Sequence, residues 1–244
     1  MSQTTRFSIS SIVASKAIIV LESPWWTPDI NKARASVLPF LQGMANYMEN
    51  FSVYHSTFYE REGFKAALHD DLTHTKEGRL YLYVAAHGSR KCLGGMDNTQ
   101  GIRLSSVLND VRSLHHSTNI EGILFGACEI GGSVQDFIDA LVGTRIAWIF
   151  GYSCEIDWLG STILDLAVFE NMMRLKEDDL KNRNKIINAF VKSLKKFDCD
   201  YTIGARDGEK IPLKDAITLV TKPRGRGNVP QDSTDLLTEK LGWG

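Results

Sequence analysis

The chain has 244 residues, 43% of them hydrophobic, with 28 basic against 29 acidic side chains and a formal net charge of −1. That balance offers no global attraction for nucleic acid or an anionic membrane, and no apolar run approaches the roughly 20 residues of a membrane span. The four cysteines, Cys92, Cys128, Cys154 and Cys199, are widely spaced without a CxxC, which argues against a disulfide framework or a zinc cage and for a reducing, cytoplasmic setting.

Lys16–Ser23 reads as a buried strand ending at Pro24. Ala33, Val37, Leu41, Met44 and Met48 then recur at helical steps, with Pro39 marking a kink or the true start of the helix. Phe51–Phe58 alternates as a strand, Phe64, Leu68 and Leu72 mark a short helix, and Arg79–Ala86 is the next strand, followed at once by His87-Gly88. After a glycine-rich segment, Leu104, Val107, Leu108, Val111 and Leu114 trace a helix. Gly122–Ala127 is an apolar strand that stops on Cys128.

Ser133 and Asp136 have the spacing of a capping box for a helix through Phe137 and Leu141. Arg145–Tyr152 is a further strand. Two helices follow, one through Leu164, Val168, Met172 and Leu175, the other through Ile187, Phe190, Val191, Leu194 and Phe197. Tyr201–Ala205 and Ala216–Thr221 read as late strands, 221–233 as a loop, and 234–241 as a helical turn or two. Strands separated by helices predict an α/β fold, a mainly parallel sheet of about six strands with helices on both faces. We expect one domain over 1–244, with 222–244 a peripheral C-terminal tail.

Two strands end in chemistry. If neighbours in a parallel sheet, they bring His87 and Cys128 out at one edge, where an imidazole either raises the thiolate fraction or takes the proton during attack. Gly88 lacks a Cβ, so its amide and that of Cys128 can approach a substrate carbonyl as an oxyanion hole. Glu129, Gly131 and Gly132 let the chain turn sharply behind the cysteine. The competing reading makes Cys128 a core residue and His87 a satisfied polar group, in a domain used for binding or scaffolding.

AAHG (85–88) and GACEIGG (126–132), each closing an apolar strand, resemble the two catalytic signatures of caspase-like (clan CD) cysteine peptidases. Within that group the turn Ala127-Cys128-Glu129-Ile130-Gly131 is most similar to CHAT domains. The resemblance spans Lys16 to about Leu175 in element order. It implies a caspase-like fold and a cysteine endopeptidase with Cys128 as nucleophile and His87 as base, then acid. Gly88 and Cys128 would form the oxyanion hole, with neither metal nor organic cofactor.

It further implies a protein or peptide substrate, a regulated effector role in a prokaryotic immune or cell-death system, and control by an activating partner protein, by pro-loop cleavage or by ordering of residues 89–103. IFGYSCEIDW (149–158) resembles the acidic turn of the same families. Glu155 and Asp157 there would form a substrate-binding pocket for a basic side chain, although Arg90, Arg103 and Arg206 leave an acidic ligand open. Cys154 reads as structural. Trp25-Trp26 lies at the expected substrate edge, and His115-His116 closes a helix. The small basic loop at 222–227 is too short to indicate nucleic acid.

Overall fold

A computed structural model of the chain describes residues 16–24, 35–48, 51–94, 101–114 and 119–243. Trp25-Trp26, His115-His116 and the centre of the glycine-rich segment after Cys92 lie outside these residues.

The first half of the chain runs β1 (Lys16–Glu22), α1 (Leu38–Tyr47), β2 (Phe51–Thr57), α2 (Arg61–His74) and β3 (Arg79–Ala85). Three two-residue strands follow, β4 (Gly88–Ser89), β5 (Cys92–Leu93) and β6 (Ile102–Arg103), then α3 (Leu104–Leu114), β7 (Ile120–Gly126), α4 (Val134–Leu141) and β8 (Trp148–Tyr152). The remainder is β9 (Glu155–Ile156), α5 (Trp158–Arg174), α6 (Arg183–Leu194), β10 (Thr202–Arg206), β11 (Glu209–Pro212), α7 (Leu213–Ala216), β12 (Ile217–Thr221), β13 (Gln231–Asp232) and α8 (Thr234–Leu241).

Seven strands form the central sheet in the order β13-β12-β8-β7-β3-β1-β2, one more than the sequence pattern predicts. Five of them, β1, β2, β3, β7 and β8, are parallel, while β12 runs antiparallel to β8 and β13 to β12. Two layers of apolar side chains follow from strand alternation. Tyr81, Tyr83 and Ala85 of β3 join Leu124, Trp148 and Phe150 beneath α1, α5, α6 and α8. Leu80, Leu82, Val84 and Ala86 point the other way, into the layer shared with α2, α3 and α4. Each of the Leu, Val and Phe side chains among them, taken fully out of water, contributes about 1.5–3 kcal/mol. The one acid inside β7, Glu121, is held at the opposite end of the sheet from Cys128 by a bidentate bond from Arg79 and by the Tyr81 hydroxyl.

Three expectations change. α1 starts at Leu38 with Pro39 in its first turn, where a missing N–H costs nothing. Ser133 does not build a capping box, because its hydroxyl donates to the Arg90 carbonyl at 2.6 Å and leaves α4 without a side-chain cap. The stretch from 222 onward is not peripheral. Lys222 and Leu237 are buried, β13 completes the sheet edge, and α8 packs into the layer with α6.

Candidate active site

The register of β3 against β7 pairs Ala85 with Gly126, and the Ala86 amide bonds the Gly126 carbonyl at 3.3 Å. His87 and Cys128 therefore each stand two residues past a paired position, at the carboxyl ends of adjacent parallel strands. Ligands of such sheets bind at this edge. Both residues are half-buried.

Glycine at 88 is a packing requirement. A Cβ there would lie 2.2 Å from the Cys128 carbonyl oxygen and 2.8 Å from its nitrogen, so the backbone after His87 rests directly on the backbone of Cys128. The thiol sits between two amides. Ile156 N–H donates to Sγ at 3.3 Å, and the Gly88 amide lies near enough to favour the charged thiolate.

The turn behind the cysteine is strained and tied down. Glu129 has φ +59°, in the left-handed region, at a cost of about 1–2 kcal/mol for a residue with a Cβ. Its amide bonds the Cys154 carbonyl at 2.9 Å, continuing the parallel pairing of β7 with β8, and its carboxylate accepts from the Arg90 amide at 3.3 Å. With the Ser133 bond, both backbone groups of Arg90 are held by the cysteine turn. The His87 carbonyl accepts from Gly94 across the small β4–β5–β6 sheet at 2.8 Å. Histidine and cysteine segments are thus cross-linked by backbone contacts on two sides.

Burial pushes the Cys128 thiol above its ordinary range. The Glu155 and Glu129 charges push the same way, and the Ile156 and Gly88 amides pull it down. A thiol held up in this way carries little preformed thiolate at neutral pH. Cys154 is wholly buried and its thiol is pushed up to about 11 by burial. That matches its expected structural role.

The two acids separate. Glu155 is exposed on β9 and acts on the thiol through its charge. Asp157 is the N-cap of α5, its carboxylate accepting from the Gly160 amide at 2.6 Å. Arg206 is also committed, donating to the Ser153 carbonyl and hydroxyl at 2.9 and 3.1 Å. Arg90 enters through its backbone.

Strand β9 has only the weakest sequence signal. It is an edge strand of a second sheet, β11-β10-β9. A Cβ on Gly204 would fall 1.7 Å from the Glu155 carbonyl oxygen, so that glycine admits the close pairing of β10 with β9. Asp157 N–H bonds Ile203 in β10, whereas Ile156 N–H points the other way, to Cys128. The edge of β9 that faces away from β10 therefore lies along the thiol. A group of acidic and thiol ligands at Asp198, Cys199 and Asp200 is mostly exposed, with Lys214 already paired to Asp200.

No family model and no curated protein matches the chain. Solved structures do. The chain resembles a secreted C11 cysteine protease from Bacteroides thetaiotaomicron, "iotapain", with a TM-score of 0.53 and 11% identity over 86% of this chain and 67% of that one. The same organism's secreted C11 protease in complex with an irreversible peptide inhibitor aligns at a TM-score of 0.49 and 12% identity, over 85% and 66% of the two chains. The fold is caspase-like. Among the described residues, no helix is long and apolar enough to cross a membrane.

Proposed function

We propose that the chain is a single-domain cysteine endopeptidase. The observation that carries the reading is the seating of the His87-Gly88 backbone on Cys128, which joins the two motifs at one sheet edge. His87 takes the thiol proton as Sγ attacks a peptide carbonyl, then returns it to the leaving amine. The Gly88 amide and the Cys128 amide form the oxyanion hole for the oxygen that becomes negative, a reading supported by the close approach of the two backbones. An extended substrate backbone adds to the edge of β9 beside the thiol, and Glu155 favours a basic side chain near the cleaved bond. Asp157 has no part in this.

The raised thiol supports a resting state that acquires reactivity only with a bound substrate or an activating partner protein. The four free cysteines support a reducing, cytoplasmic setting. The placement in a prokaryotic immune or cell-death system rests on the CHAT-like turn at 127–131 alone.

New N-termini mapped by mass spectrometry in a bacterial lysate test the reading. Cleavages with the wild-type protein that are missing with Cys128→Ala are expected, with Lys or Arg before the cut if Glu155 acts as stated. Identical N-termini in both samples, with or without added partner proteins, would favour the binding-module reading.

A further inference from the structure

The apolar first half of α5 carries one acid, Asp165, that is 1% exposed. A carboxyl group so far from water must be satisfied by partners. Tyr83 Oη donates to Asp165 Oδ2 at 2.7 Å and Tyr152 Oη to Oδ1 at 2.5 Å. Gly126 leaves the room for this arrangement. A Cβ there would lie 2.7 Å from the Tyr83 hydroxyl and 3.0 Å from Asp165 Oδ2.

The three anchor points are not random positions on the sheet. Tyr83 lies on β3, the strand that leads to His87. Gly126 ends β7 just before Cys128. Tyr152 ends β8 just before the segment whose Ile156 amide holds the thiol. A single carboxyl from α5 thus bonds the strands that lead to the base and to the substrate edge, and packs under the end of the strand between them, which leads to the nucleophile.

We propose that Asp165 is a positioning residue for the peptidase reaction. By accepting from Tyr83 and Tyr152 beneath Gly126, it fixes the spacing of β3, β7 and β8 and so the approach of His87 and β9 to Cys128. This rests on the peptidase reading above.

A carboxylate accepts from both phenols at once. A carboxylic acid turns one oxygen into a donor and a weaker acceptor, so the bond from the phenol facing it weakens, with the Ser161 carbonyl at 3.5 Å as the other acceptor for Tyr152. Burial lifts the Asp165 carboxyl to about 7, with the Tyr152 and Tyr83 hydrogen bonds pulling it down. The phenols stay donors throughout, since burial and the Asp165 charge hold both well above their ordinary range. Glu22 from β1 acts on Tyr83 in the same sense, and Cys154 acts on Tyr152. The three-strand tie therefore tightens as pH rises through neutrality.

The test compares wild type with Asp165→Asn and Tyr152→Phe, using steady-state hydrolysis of a cleaved peptide and iodoacetamide alkylation of Cys128 followed by mass spectrometry. Asp165→Asn is expected to stay folded, because it removes a buried charge. Its kcat falls roughly tenfold or more with KM within about twofold, the signature of lost geometry rather than lost binding. The acid limb of log kcat against pH drops from a two-proton to a one-proton slope. Tyr152→Phe keeps the carboxyl but loses one donor, so the Asp165 step moves to higher pH.

An Asn variant with wild-type kcat and an unchanged acid limb overturns the proposal, as does a kcat loss that only tracks unfolded protein. If the wild type cleaves nothing, the peptidase reading falls and alkylation decides for Asp165 separately. A change of about threefold or more at Cys128, with Cys92 and Cys199 unaffected, supports positioning. No change refutes it.

Discussion

Gly88→Ala is the most informative single substitution in the site. The new methyl would start 2.2 Å from the Cys128 carbonyl oxygen. Non-bonded carbon–oxygen contacts settle at about 3.3–3.6 Å, so one backbone must retreat by about 1 Å. Neither can do so freely. The His87 carbonyl is bonded to Gly94, and the cysteine turn is bonded to Cys154 and Arg90. Overpacking of this kind costs about 1–3 kcal/mol of stability. A displacement of that size at the reacting groups costs roughly a hundredfold in rate, about 2.7 kcal/mol at the barrier.

The assay is kcat/KM on a cleaved peptide beside a urea unfolding midpoint for the same preparation. Gly132→Ala is the control, since a Cβ there meets nothing within 4 Å. The prediction is a large loss for Gly88→Ala and near-wild-type behaviour for Gly132→Ala. Activity within about threefold of wild type for Gly88→Ala, with an unmoved midpoint, would refute the claim that the 88–128 contact organises the site.

Other expected outcomes follow from the same groups. Asp157→Ala should cost about 1 kcal/mol in urea unfolding through the lost α5 cap and leave the residue preference of cleavage unchanged. Glu155→Gln removes a charge that holds the Cys128 thiol up, so alkylation of Cys128 at pH 8 should rise roughly threefold at most, as expected of an exposed, solvent-screened charge. Stability should fall with rising pH between about 4 and 7 on account of Asp165. Its folded pKa of about 7 lies above the ordinary 3.8, so in that window the folded chain keeps a proton that the unfolded chain has lost. The effect is on the order of 4 kcal/mol, flat above pH 7, and absent from urea titrations of Asp165→Asn.

Much of the frame was legible because local pattern and tertiary role agree. Arg79–Ala86 and Gly122–Ala127 are apolar on both faces, as strands buried between two helical layers must be, and both stop where the chain leaves the core. That stop is what made His87 and Cys128 visible. Ser133 misled because a serine three positions before an acid fits a capping box whether or not its hydroxyl is needed elsewhere, and here the hairpin claims it. Asp157 also carries a local signal, since an acid directly before a helix has the position of an N-cap. The β9–β10 pairing joins segments far apart in sequence, with Gly204 its only local trace. Asp165 did leave a signal, an acid inside the apolar stripe ILDLAVF, but only the fold shows that two tyrosines from separate strands meet it.

The central claim is that Cys128 and His87 act as one catalytic unit. Covalent capture by a basic peptidyl acyloxymethyl ketone tests it most directly, with wild type and His87→Ala compared and intact mass and peptide mapping as the readout. The account predicts a single adduct on Cys128 in the wild type, strongly slowed in His87→Ala, while plain iodoacetamide still reaches Cys128 in both. Equal labelling of the two proteins by the peptidyl reagent, or an adduct on Cys92 or Cys199 instead, would contradict it.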